Sequence, residues 1–257
     1  MDNLKKLLDE KAAQYNCKDF IKDDPISFPH AFCDKRDIEI AALLASVIAW
    51  GNRKMILNSG NKMLFGIMGG KPYDYVMSEE WSNLCGDNNI HRTFFVRDFV
   101  YLCRGLKQIY QEYGSMEPLF IKNDVWDGIS ALREEFFKAN DGCSTKHLSN
   151  PTSMKGKPAS SCKRLNMMLR WLSRNDGIVD LGIWKDVNPS KLMIPLDVHV
   201  ARIGRKLGLI TRTQNDRRTV EELTARLREF SPSDPVLYDF ALFGIGVAGD
   251  DIFNNKE

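Results

Sequence analysis

The sequence contains no long apolar run. Its longest, residues 40–50, is too short to span a bilayer, so neither a transmembrane helix nor a membrane partner is expected. Asp2, Asp9 and Glu10 interrupt the first stretch, which argues against a signal peptide. The six cysteines (17, 33, 85, 103, 143 and 162) form no Cys-x-x-Cys pair and follow no regular spacing, which argues against zinc ribbons and disulfide frameworks. Free thiols fit a reducing cytoplasm. The four histidines are scattered and no His-Glu-x-x-His occurs, so no metal is expected. There is no Gly-x-Gly-x-x-Gly or P-loop, and no cofactor is expected. No internal repeat and no Ser–His–Asp signature is present. Nor does any series of segments alternate with period two, and no βαβ pattern appears; the fold class is all-α. Neither sign of charge dominates: 36 Lys and Arg face 34 Asp and Glu, and a net charge of +2 does not announce nucleic acid. Such a role would have to come from local basic clusters.

What is present is enough for a core. A chain of 257 residues, 43% of them hydrophobic, suits one large domain or two small lobes sharing a cleft. Residues 3–16 place Leu4, Leu7, Leu8, Ala12 and Tyr15 on one helical stripe, and residues 21–36, with Pro25 and Pro29, connect it onward. Asp37 is read as opening a buried helix to about residue 50, broken by Gly51-Asn52-Arg53. A second helix then ends at Gly69-Gly70, and Pro72 starts a short one. Helices follow over 98–113, capped by Gly114, and over 124–139. Residues 140–158 are a polar loop carrying Lys146, His147, Lys155 and Lys157. After it come a helix over 161–175 and a loop-rich insert over 178–192 holding Asp180 and Trp184. Asp197 and Gly208 bound the next helix, Thr219 with Glu222 reads as a capping box, and Asp234-Pro235 starts the last good helix. The tail beyond Asp251 is polar and expected to fray.

Two stretches organise the rest. Ser160-Ser161-Cys162-Lys163-Arg164-Leu165-Asn166 opens one helix, and Ile194-Pro195-Leu196-Asp197-Val198-His199-Val200-Ala201-Arg202 opens another. Each puts one ionisable group, Lys163 or Asp197, at a helix entrance, a setting that favours an anion and disfavours a cation. A neutral amine can attack carbon, and a nearby carboxylate can stabilise a cationic sugar. The plainer reading stands beside this one: Asp197 as an N-cap after Pro195, Lys163 as a solvated lysine.

The run Pro195-Leu196-Asp197-Val198-His199-Val200-Ala201-Arg202-Ile203, with Leu207-Gly208-Leu209 after it, resembles the Asp motif of helix-hairpin-helix (HhH-GPD) DNA glycosylases. Lys163 matches the Schiff-base lysine of that superfamily's bifunctional members. The long insert between Lys163 and Asp197 is most similar to the archaeal 8-oxoguanine glycosylase branch, and Arg170-Trp171 with Val179-Asp180-Leu181-Gly182-Ile183-Trp184 resembles a bacterial family of unknown function related to it. The likeness covers about residues 155–250. It departs at the hairpin, where Lys157-Pro158-Ala159-Ser160-Ser161 replaces the family's Leu-Pro-Gly-Val-Gly. The count of cysteines excludes the iron–sulfur loop of the endonuclease-III-like members.

This resemblance implies a two-lobed, all-α, glycosylase-like fold with a central cleft and a modified helix-hairpin-helix. Residues 37–175 would form a helical-barrel lobe ending in the Lys163 helix. Residues 1–36 with 190–257 would form a second lobe carrying Asp197, with 176–189 as a connecting insert. The implied activity is a DNA glycosylase and AP lyase acting on a damaged base, an oxidised purine by the branch likeness. Its partner would be duplex DNA, bound by a monomer. Lys163 and Asp197 are the implied catalytic pair. Asp239, Phe243 and Arg170 are implied pocket residues, with Trp50 and Trp184 as further candidates and Trp171 read as core. Asn52 and Arg53 would fill the gap left by a flipped base, or simply make a turn. Ser160 and Ser161 would offer helix-entrance N–H groups to phosphate, and His199, Arg202 and Arg205 would reach phosphates or form a solvated basic face. Two alternatives remain: a catalytically silent nucleic-acid-binding relative, and an unrelated helical small-ligand protein with Asp180 and Asp239 in its pocket.

Overall fold

A computed structural model describes residues 2–121, 124–154 and 156–249. Lys155 and the tail beyond Asp251 lie outside these described residues. The chain is mostly helical: α1 (Asp2–Tyr15), α2 (Lys18–Lys22), α3 (Ser27–His30), α4 (Lys35–Val47), α5 (Arg53–Asn61), α6 (Pro72–Ser78), α7 (Val96–Tyr113), α8 (Pro118–Ile121), α9 (Val125–Ala139), α10 (Lys163–Ser173), α11 (Val198–Lys206), α12 (Arg217–Phe230) and α13 (Tyr238–Ala248). A small hairpin, β1 (Asn89–His91) paired antiparallel with β2 (Phe94–Phe95), was not legible in the sequence because it is too short to show alternation. None of the described helices is long and apolar enough to cross a membrane.

Helix positions follow the apolar periodicity, while their caps are set by tertiary competition. The α4 cap is Asp34, whose carboxylate accepts the Arg36 N–H at 2.8 Å. Asp37 instead accepts the Tyr73 N–H at 2.8 Å, fixing the entrance of α6 against α4. Likewise α12 is capped by Asp216, through the Thr219 N–H at 3.0 Å. Glu222, expected to close a capping box, accepts the Thr211 N–H at 2.8 Å. α5 runs into a π-helical turn over Lys62–Ile67, and Gly114 closes α7 in the left-handed region.

One apolar cluster runs from Leu8 to Ile245. Within it α4 packs on α3, α6 and α10, and α7 packs on α9. α1 and α11 both pack on α13, so the first helix joins the last. Two glycines of α13 permit this. A Cβ on Gly244 would stand 2.1 Å from the Tyr15 ring of α1, and one on Gly246 would stand 2.7 Å from the His199 Cβ of α11. That close approach positions α11, and Asp197 at its entrance, beside α13.

Candidate functional site

The entrance of α10 is a sharp turn. Cys162, buried and just ahead of Lys163, takes a left-handed conformation (φ 47°), which costs a β-carbon residue about 1 kcal/mol or more. The N-cap is Cys162, and neither Ser160 nor Ser161. The Ser160 hydroxyl accepts the Cys162 N–H at 3.1 Å, and the Ser160 N–H donates to Asn150 O at 3.0 Å. Ser160 also pairs with Asp216, tying the loop before α10 to the start of α12. The Ser160 N–H offered to phosphate is therefore already used, and the Ser161 carbonyl accepts the Asn166 amide at 3.0 Å.

Lys163 is half-buried, and among the described residues its Nζ donates only to Met167 Sδ, at 3.5 Å. Among the described residues no carboxylate comes within ion-pairing distance of it. Asp197 is the N-cap of α11. Its Oδ1 accepts the His199 and Val200 N–H groups at 2.8 and 2.9 Å, and its Oδ2 makes no hydrogen bond among the described residues. The capping role is thus present, and it occupies one oxygen of the two.

Both groups line the same two connected spaces. An open cleft of about 790 Å³ is bounded by Lys163, Arg164, Asp197, His199, Trp50 and Phe243, together with Asp24 and Arg53. This is the size of a ligand pocket. A smaller chamber of about 50 Å³ shares Asp24, Lys163, Met167, Asp197 and Phe243 with the cleft and adds Phe20, Arg170, Trp171, Asp239 and Phe240. Phe243 meets Phe20 edge-to-face at 6.2 Å and His199 at 6.1 Å, leaving it half-buried at the boundary.

Arg170 lies at the chamber floor, 3% exposed. Its Nε donates to Asp180 at 3.2 Å, its Nη1 donates to Asp239, and its guanidinium lies 4.3 Å from the Phe240 ring. Asp180 also accepts from Arg174 at 3.0 Å, and Arg174 further holds Asp176 and, at 2.8 Å, Asp234. Burial, the larger influence, pushes the Asp239 carboxyl up to about 7, with Arg170 pulling it down and Asp197 pushing it further up. Asp180 is also raised, chiefly by burial.

The remaining candidates divide. Arg53 lines the cleft, but Asn52 does not; it caps α5 through the Met55 N–H at 3.3 Å. Trp50 lines the cleft with its ring already contacted by Arg164 at 5.0 Å, His91 at 4.8 Å and His147 at 5.5 Å. Trp184 is not at the site: it is 1% exposed, donates to Glu39 at 2.6 Å and stacks on Phe120 at 5.4 Å. A tryptophan's length and polar tip suit a core hydrogen bond as well as a pocket wall, and sequence does not separate the two. Arg205 is turned to the 212–215 loop, donating to Arg212 O at 2.7 Å, Thr213 O at 2.9 Å and Asn215 Oδ1 at 2.6 Å. His199 and Arg202 both reach the Gly246 carbonyl, at 3.2 and 2.8 Å. Arg164, Met167 and Phe240 line these spaces without having been sequence candidates, and so do Asp24 and Phe20. The last two fall around the connecting segment, and only chain closure brings them to the cleft; the Asp-Pro step at 24–25 marked a turn and nothing more.

No group of His, Cys, Asp and Glu suited to a metal ion occurs among the described residues. Fold and site together define an all-helical protein whose lysine and cap carboxylate share one open cleft. It belongs to the DUF2400 family, described as a protein of unknown function, whose profile matches residues 24–248. No curated protein and no solved structure matches the chain.

Proposed function

We propose that this protein is a DNA base-excision glycosylase with β-lyase activity, using Lys163 as Schiff-base nucleophile and Asp197 as its carboxylate. The observation that carries this reading is the shared lining: Lys163 and Asp197, distant in sequence, border one cleft, with Phe243 at the mouth of the chamber behind it. A damaged nucleotide must leave the duplex before its glycosidic carbon can be reached. The Lys163 nitrogen then bonds C1′, the C–N glycosidic bond breaks, and its electron pair leaves with the base. Asp197 Oδ2 balances the positive charge on the sugar and accepts the proton that the amine sheds. In ring opening the C1′–O4′ bond breaks, O4′ takes back the proton held by Asp197 and the nitrogen lone pair forms the Schiff base; a base then removes the C2′ proton and the 3′-phosphate leaves with the C3′–O electron pair. In this reading α4–α10 form one lobe and α1–α3 with α11–α13 the other, duplex DNA is the partner, and Phe243 is the flat wall for the extruded base. Arg53, at the cleft lining, is the cation assigned to phosphate, since Arg164, Arg202 and Arg205 each already donate to a main-chain carbonyl.

The test uses duplexes bearing 8-oxoguanine or an abasic site, with borohydride to reduce any Schiff base. Wild-type protein should be trapped on DNA and Lys163→Ala should not. Binding without trapping would favour a catalytically silent reader. Neither binding nor trapping would favour a small-ligand protein.

A further inference from the structure

The chamber contains a carboxyl group that neither Lys163 nor Asp197 accounts for. Asp24 is buried at the connection between α2 and α3 and lines both the chamber and the open cleft. Its Oδ1 accepts the Ile26 N–H at 3.1 Å, which holds the turn before α3. Among the described residues its Oδ2 accepts no hydrogen bond, and the Arg53 guanidinium is ion-paired with it at 3.9 Å. The groups around it come from four elements: Arg53 of α5, Lys163 and Arg170 of α10, Asp197 capping α11, and Asp239 of α13. Burial nonetheless outweighs those cations and raises the Asp24 carboxyl above the ordinary range. Asp239, the other raised acid, is bonded to Arg170 and lines only the chamber. Asp24 is therefore the raised acid that borders both chamber and cleft, with one oxygen free of hydrogen bonds among the described residues.

We propose that Asp24 is the general acid of the reaction, delivering a proton to the departing base. This rests on the glycosylase reading above and extends it. When the glycosidic bond breaks, its electron pair settles on the base, a poor leaving group as an anion. The Asp24 O–H bond breaks, its proton goes to the base, and the Asp24 carboxylate is reprotonated from water after release. Lys163 bonds C1′ in the same step, so sugar, base and acid each end with a full count of bonds. An abasic site has no base to protonate. Asp24 should therefore matter for base release and not for Schiff-base formation on an abasic strand.

That asymmetry supplies the experiment. Asp24→Asn keeps an oxygen for the Ile26 N–H and loses the transferable proton. It should be trapped by borohydride on abasic duplex within about twofold of wild type, while release from a panel of oxidised, alkylated and deaminated bases falls roughly 10²–10⁴-fold, the usual worth of a positioned acid. Wild-type release should decline as pH rises through the Asp24 ionisation, a limb missing from the Asp24→Asn profile, and Asp24→Glu should restore part of the rate. Equal losses on both substrates, or no loss on either, would overturn the assignment. So would a wild type that traps abasic DNA yet releases no base of the panel. A wild type that traps nothing overturns the glycosylase reading as well. Should Asp24→Asn fail to fold, a ¹³C titration of the wild-type carboxyl decides: ionisation in the ordinary carboxylate range refutes the proposal.

Discussion

The two ends of α10 make opposite use of charge. At its C-terminal end, Arg170 and Arg174 are buried and satisfied by Asp176, Asp180, Asp234 and Asp239, a closed network behind the chamber. At its entrance, two turns before Arg170, Lys163 donates among the described residues only to a thioether and borders the open cleft. Breaking a buried pair strands a charge, so the first set is fixed in place. Lys163 is tied into no ion pair among the described residues. The difference separates groups that hold the pocket's shape from groups available for chemistry.

The largest effect should come from Lys163→Ala, which removes all borohydride trapping while shifting stability by no more than about 0.5 kcal/mol, as for other substitutions outside the core. A stability loss matching the activity loss would erase the contrast. Asp180→Ala should do the reverse, leaving Arg170 and Arg174 undercompensated at a cost of about 3–5 kcal/mol in denaturant unfolding.

Asp239→Asn sharpens the comparison through pH. Asp239 ionises near 7 in the folded chain, above an unfolded carboxyl, so the native state holds the extra proton between about pH 4 and 7. Its contribution is complete at low pH and is lost as pH rises through 7. The penalty of Asp239→Asn should therefore be smaller at pH 8 than at pH 5. A penalty that grows with pH would mean the Arg170 pairing dominates over burial.

Smaller effects follow away from the cleft. Trp184→Phe deprives the buried Glu39 of a donor and should cost about 1–3 kcal/mol with trapping intact. Arg205→Ala should lose about 1 kcal/mol and loosen the 212–215 loop in hydrogen exchange, with no change in the salt dependence of DNA binding. A reduced salt dependence would return Arg205 to the phosphate-binding set.

Much of the helical fold was legible because apolar periodicity survives in one sequence. α1, α7 and α9 fall within two residues of their expected ranges. Caps were less legible, since Asp34 and Asp37, or Asp216 and Thr219, all suit a helix entrance, and neighbouring segments decide which one serves. At the site, Lys163 and Asp197 announced themselves through spacing and motif. Asp24 did not: its significance is its burial at the border of chamber and cleft, a property of packing rather than of neighbours in the chain. Trp184 failed for the mirror reason, its pocket-like chemistry being satisfied by Glu39 in the core.

If the amine of one lysine, half-buried at the entrance of α10, forms the covalent bond to sugar, mass spectrometry of the borohydride-reduced complex with abasic duplex will find a single deoxyribose-modified peptide, and it will carry Lys163. An adduct on any other amine, or none, would refute the assignment.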